Sequence, residues 1–229
     1  MHRYQAIRAE LLRRINNQTW PAGHVIPHEE ELATSFGVAR GTIRRALGSL
    51  VDAGLLERKR RAGTRVARPT AHASTLRIAV VRHEVEARGG SYGYRLIESR
   101  EGGGELDAGG RFGGAALRRV LCLHCCDGSP FQLEDRLLNL AAIPAAREAN
   151  FAAISPNEWL VAEQPYSAVR TVLRAAAPSA DDLVHLAVGA SQPVFVIERQ
   201  TRLLGEPLTW ARLSHPGAAF EIVTEAGGY

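Results

Sequence analysis

The chain has 229 residues, 45% hydrophobic and 23% charged, an ordinary globular composition with length enough for two modest domains. No apolar run approaches the roughly 20 residues of a membrane helix, "MHRYQAIRAELLRR" lacks a signal-peptide pattern, and three cysteines (Cys122, Cys125, Cys126) do not make a secreted disulfide scaffold, so a soluble cytoplasmic protein with no membrane partner is expected. Charge is uneven: residues 1–70 hold 13 Lys/Arg and 6 Asp/Glu (net +7), the remainder 15 and 18 (net −3), giving the chain's +4 and suggesting that the first part meets a polyanion.

Tyr4, Ile7, Leu11 and Ile15 recur at helical spacing and predict a helix over about residues 3–17, ended by "TWPAGHVIP". "HEEELATSF" predicts a second helix. Glu29, Glu30 and Glu31 lie in its first turn, Leu32, Ala33 and Phe36 on its buried face, and Gly37 is the left-handed residue after it. A third helix is expected over about residues 39–53. Ile43, Leu47, Leu50 and Val51 form its apolar face, with Arg40, Gly41, Thr42, Arg44 and Arg45 on the other side and near its start.

Two helices joined by a short Gly turn make a helix-turn-helix pattern, whose second helix reads the major groove through its N-terminal residues. Arg suits that place because its fork binds guanine in bidentate fashion. The competing reading is an amphipathic helix with a solvated basic face. "AGLLERKRRAGTRVA" then places two apolar runs around a polar, Gly-containing stretch and reads as a β-hairpin. Behind a helix-turn-helix such a hairpin is a wing. Arg58, Lys59, Arg60, Arg61, Gly63, Thr64 and Arg65 at its tip are expected to position double-stranded DNA through phosphate or minor-groove contacts.

"IPHEEELATSFGVARGTIRRALGSLVDAGLLERKRRAGTRVA" resembles the winged helix of the GntR family of bacterial transcription regulators. The resemblance covers residues 3–68 and puts Arg40, Thr42 and Arg44 where the family contacts DNA. Glu30 replaces an arginine of the family pattern, Ala39 a serine that caps the recognition helix, and Arg61 a wing-tip glycine.

The expected organisation is a DNA-binding domain over 1–68, a linker over 69–75, and a second domain over 76–229. In the second domain "VVRHEVEARGG" predicts a short helix closed by Gly89, and "YGYRLIES" a strand. "EGGGELDAGGRFGG" has seven Gly in residues 102–114 and predicts a mobile loop. "RRVLCLHCCDGSPFQLEDRLLN" predicts two strands turned at Asp127-Gly128. "SPNEWLV" predicts a helix capped by Ser155, and "YSAVRTVLRAAAPSADDLVHLAVG" a strand followed by a helix boxed by Ser179 and Asp182. "PVFVIERQTRLLGEPLTWARLSHPG" predicts two further strands around Gly205. Antiparallel strands with short helices imply an α+β fold with a single sheet in this half.

"FQLEDRLLN", "ISPNEWLV" and "LTWARLSHPG" resemble the effector-binding (UTRA) domain of the histidine-utilisation repressor subgroup, similar in fold to chorismate lyase. The resemblance implies a dimeric repressor, released from its operator by a small acidic effector such as urocanate. A carboxylate needs a cation or donor cluster, and an imidazole needs acceptors. Arg136, Arg212, His124 and His215 are candidates for the carboxylate; Glu134, Asn157 and Thr209 for the imidazole. Strand alternation puts Glu134 with Arg136, and Thr209 with Ala211 and His215, while Arg212 points away and ranks lower. Ser155 and Trp159 complete the expected effector set. Cys122 stands where sugar-phosphate-binding relatives often carry Arg.

No G-x-S-x-G, H-E-x-x-H or other catalytic constellation is present, so neither an enzyme nor a bound cofactor or metal is expected. Two alternatives stay open: a GntR-type regulator sensing another metabolite, and, from "CLHCC", Cys122, His124 and Cys126 on one strand face as a metal or redox sensor.

Overall fold

The computed structural model describes residues 3–16, 19–21, 23–59, 63–67, 78–164, 166, 168–203, 205–218 and 220–222. The expected DNA contacts Arg60 and Arg61, and the linker over 69–75, lie outside the described residues. The chain divides into two compact units: Met1–Arg77 with Leu160–Ser167, and Ile78–Trp159 with Ala168–Tyr229.

In the described residues the first unit opens with α1 (Arg3–Asn16), α2 (Glu29–Phe36) and α3 (Arg40–Asp52), then a hairpin of β1 (Leu56–Lys59) and β2 (Gly63–Val66). Ile7, Leu11, Leu32, Ile43, Leu47, Leu50, Leu56 and Val66 are buried, so one apolar face from each helix and one residue from each wing strand build the core. Gly37 has φ 62°, the left-handed conformation that stops α2 and turns the chain into α3. Ala39 is the N-cap of α3 and offers no side-chain cap. The proline-bearing segment before α2 does more than end α1. Val25 bridges Arg65, and Ile26 N–H donates to Thr64 O, so this segment adds an edge to the wing.

The second unit is built on a six-stranded antiparallel sheet of order β3-β4-β5-β8-β7-β6. Its strands are β3 (Tyr92–Gly102), β4 (Leu117–Cys126), β5 (Ser129–Asn139), β6 (Ala168–Ala176), β7 (Val194–Leu203) and β8 (Glu206–Pro216). Its short helices are α4 (Val81–Ala87) and α6 (Ala180–His185), with the start of α5 (Pro156–Glu163), whose residues from Leu160 on are grouped with the first unit. The β4–β5 hairpin turns at Asp127 (φ 51°) and Gly128 (φ 77°), the paired positive φ values of a tight hairpin turn. Ser179 and Asp182 form the expected capping box on α6.

One face of the sheet is apolar, with Leu121, Leu123, Leu133, Val194 and Val196 packed on Leu186. Arg212 lies on this side and pairs with the buried Asp182 through Nη1 and Nη2, at 3.0 and 2.7 Å.

The Gly-rich stretch is packed, against the expectation of a mobile loop. A 3-10 turn spans Gly104–Leu106. The buried Asp107 accepts from Phe112 N–H at 2.9 Å and Arg111 Nη1 at 2.8 Å. Phe112 is buried against Leu117 and Leu137, and Arg111 lies 4.2 Å from the Trp210 ring centroid. One apolar anchor and one buried carboxylate outweigh the local freedom of the glycines.

Candidate DNA and effector sites

At the start of α3, Arg40, Gly41 and Arg44 are exposed and Thr42 is half-buried. Glu29, in the first turn of α2, accepts from Arg44 Nε at 3.0 Å and sits 3.8 Å from Arg58 Nη2. One carboxylate therefore orients an arginine of α3 and one of the wing. Sequence reasoning placed Glu29 only as a helix-dipole residue; its tie to α3 needs the turn between the helices. Arg40 is 3.9 Å from Glu30, the acid that stands in place of the family's arginine.

Arg45 is exposed as well, and its guanidinium lies 4.9 Å from the Tyr4 ring centroid of α1. On the wing, Arg58 and Lys59 are exposed, Gly63 is exposed with φ 76°, and Thr64 and Arg65 are half-buried.

On the polar face of the sheet, β4, β5 and β8 bring six of the expected effector residues together. The register pairs Cys122 with Glu134, His124 with Gln132, Arg136 with Ala211, and Phe195 with His215. Strand alternation then places His124, Glu134, Arg136, Thr209, Ala211 and His215 on one side. All six are buried.

Both oxygens of Glu134 are engaged: Oε1 accepts from Arg136 Nε at 2.5 Å, and Oε2 from His124 Nε2 at 3.0 Å. Burial alone would raise this carboxyl, but Arg136 and His124 hold it down to about 2. The His124 Nδ1 meets the Tyr92 hydroxyl at 2.8 Å. Arg136 Nη1 donates to Thr209 Oγ1 at 3.3 Å, and Thr209 also bonds Thr201 at 2.9 Å.

His215 sits in an aromatic box, 3.6 Å from the Phe220 ring centroid and edge-on to Phe131. Burial pushes its imidazole down to about 3, so it is neutral; Nδ1–H donates to Phe131 O at 3.0 Å, which makes Nε2 an acceptor. Among the described residues, Arg136 Nη2, Gln132 Nε2 and His215 Nε2 are buried with no hydrogen-bond partner. Gln132 was not foreseen as a site residue, although its alternation with Glu134 and Arg136 was legible. Above this face, α4 carries Glu84, whose carboxyl is raised by burial against the pull of Arg88, Arg199 and His124.

Ser155, Asn157 and Trp159 do structural work at the start of α5. Ser155 Oγ accepts from Glu158 N–H at 3.2 Å. Asn157 Oδ1 accepts from Val81 N–H and its Nδ2 donates to Ala79 O, so this amide ties α5 to the start of α4. Trp159 packs edge-on against Phe151.

The expected Cys122, His124 and Cys126 grouping takes a different form. Cys122 and His124 gather with Glu134, whereas Cys126 faces Asp127 at 3.6 Å. Burial and the nearby Glu134 push the Cys122 thiol well up, which makes it a poor redox nucleophile in this state.

Comparison with known proteins fits these two units. Residues 3–66 match "Bacterial regulatory proteins, gntR family", and residues 87–221 match the UTRA domain. A histidine utilization repressor of Pseudomonas putida is 30% identical over 222 residues, covering 96% of this chain and 90% of that protein. The crystal structure of PhnF from Mycobacterium smegmatis is 26% identical with TM-score 0.55, covering 96% of this chain and 100% of that one. The C-terminal domain of the histidine utilization repressor from Pseudomonas syringae shares the fold, at 23% identity and TM-score 0.56, over 60% of this chain and 100% of that one. Among the described residues no helix is long and apolar enough to cross a membrane. With a winged helix-turn-helix joined to an effector-type sheet domain, the chain is a DNA-binding regulator rather than an enzyme, and it belongs to the GntR family of bacterial transcription regulators, in the group that carries a UTRA domain.

Proposed function

We propose that the protein is a cytoplasmic, homodimeric repressor of histidine-utilisation genes, released from its operator by a small acidic effector of the urocanate type. The observation that carries the effector reading is the set of unpaired buried groups on one sheet face. Arg136 Nη2 and Gln132 Nε2 are donors, and the neutral His215 Nε2 is an acceptor. A planar ligand with a carboxylate at one end and an N–H at the other satisfies donors and acceptor together. Leaving such groups unmet costs about 1–3 kcal/mol each, so this face of the sheet favours a ligand of that polarity. The relative from Pseudomonas putida, matched over nearly the whole chain, supports the assignment to histidine utilisation.

On DNA, Arg40, Gly41, Thr42 and Arg44 read the major groove of each half-site, and the wing residues grip phosphates. Release follows if the effector binds the DNA-incompetent arrangement of the dimer more tightly than the competent one. The test is titration of operator-bound protein with urocanate. Release below millimolar urocanate, absent in the Glu134→Gln/Arg136→Met double variant that removes both buried charges together, supports the proposal. Retention at millimolar urocanate refutes the effector while leaving the DNA-binding reading intact.

A further inference from the structure

Cys122 and His124 stand two residues apart on β4 and share a face, and Glu134 on β5 is the direct cross-strand partner of Cys122. All three side chains are buried, and their ligand atoms lie within 4.8 Å of one another. Cys122 Sγ is 3.8 Å from His124 Nε2, which is 3.0 Å from Glu134 Oε2. A tetrahedral zinc ion at the usual S, N and O distances needs ligand atoms roughly 3.3–3.6 Å apart. Shifts of about 1 Å shared between the thiol and the carboxylate close the set around such an ion.

Two outer contacts aim these ligands inward. Arg136 holds Glu134 through Oε1, and Oε2 faces His124 Nε2, so an ion entering between them replaces that one hydrogen bond. The Tyr92 hydroxyl holds His124 through Nδ1, which turns Nε2 toward Cys122 and Glu134. Outer partners that fix a carboxylate and an imidazole in this way are the usual support of a metal site. An i, i+2 pair on one strand plus a ligand across the ladder also converges better than three ligands along a single strand.

We infer that Cys122, His124 and Glu134 form a three-ligand site for a borderline divalent transition metal of the zinc class, with the fourth position left for water. The thiolate and imidazole select against magnesium and calcium, which prefer oxygen ligands. Coordination replaces the Cys122 thiol proton, which leaves to solvent. In a neutral ring the Nε2 hydrogen of His124 gives way to one on Nδ1, which the Tyr92 hydroxyl accepts. The ion and thiolate together add one positive charge beside the Arg136–Glu134 pair. The site stands on these side chains and does not depend on the identity of the effector.

Cobalt reports on it directly. Full-length protein is stripped with chelator and titrated with cobalt(II), then with zinc(II). The expected result is one cobalt per chain, with a thiolate-to-cobalt charge-transfer band in the near ultraviolet, lost on adding equimolar zinc. Cys122→Ser removes that band, and His124→Gln or Glu134→Gln weakens cobalt binding by about tenfold or more. Cys125→Ser and Cys126→Ser leave both unchanged. Circular dichroism and operator binding identify variants that have merely failed to fold; Cys122→Ser, nearly isosteric, is the decisive one. A wild-type protein with no charge-transfer band overturns the inference. So does a band that survives Cys122→Ser or is lost with Cys126→Ser instead.

Discussion

Replacing Arg136 by Met keeps most of the buried volume but removes the cation that holds Glu134. Both side chains are essentially inaccessible, at 2% and 0% exposure, and their contact is 2.5 Å. Breaking a buried pair by removing one partner costs about 3–5 kcal/mol, because the other charge stays buried. Protonating Glu134 offers little escape. At pH 7, even from the ordinary value of 4.5, carrying the neutral form costs about 3.4 kcal/mol. With a urea m-value of about 2 kcal/mol/M, the unfolding midpoint falls by about 1.5–2.5 M. Fluorescence in a Trp20→Phe background follows it, since Trp159 and Trp210 then report on the second unit alone. The double variant Glu134→Gln/Arg136→Met removes both charges and recovers to within about 1 kcal/mol of wild type. A double variant as unstable as the single one, or a single shift under about 0.5 M, would mean that Arg136 does not hold a buried Glu134 charge.

The His215 imidazole, depressed from 6.5 to about 3 by burial and by the facing charges of His124, Arg88 and Arg199, links stability to pH. Its folded value lies below its unfolded value, so its contribution is present above pH 6.5 and is lost as pH falls; about 2 kcal/mol disappears between pH 7 and pH 5. Urea midpoints at the two pH values measure this loss, and His215→Gln flattens the difference. At the start of α3, Ala39→Ser restores a side-chain cap on a residue already at ψ 144°, and raises winged-helix stability by about 1 kcal/mol in thermal unfolding. On the wing, Arg58→Ala lowers the slope of log affinity against log salt by about 0.9 and spares sequence preference. An unchanged slope means that Arg58 contacts no phosphate.

Much of the first unit was legible because its signals are local. Helical spacing of Leu11 and Ile15, the glycine after Phe36, and the apolar runs flanking "ERKRRAGTR" each determine structure within a few residues. In the second unit Asp127-Gly128 and the Ser179–Asp182 box were equally local. The packed Gly-rich stretch was not legible, because its order comes from Phe112 reaching a core made by distant strands.

Which residues share a face is already written in the alternation along β5 and β8, which puts Glu134 with Arg136 and Thr209 with His215 and sends Arg212 to the other side. Which faces meet is a matter of long-range packing. It set Glu134 between Arg136 and His124, replaced Cys126 by Glu134 beside Cys122, turned Arg45 onto Tyr4, and gave Asn157 to the backbone of α4. Periodicity is a property of one strand or helix. Partnership depends on the register between strands, which is settled by long-range packing that no single segment encodes.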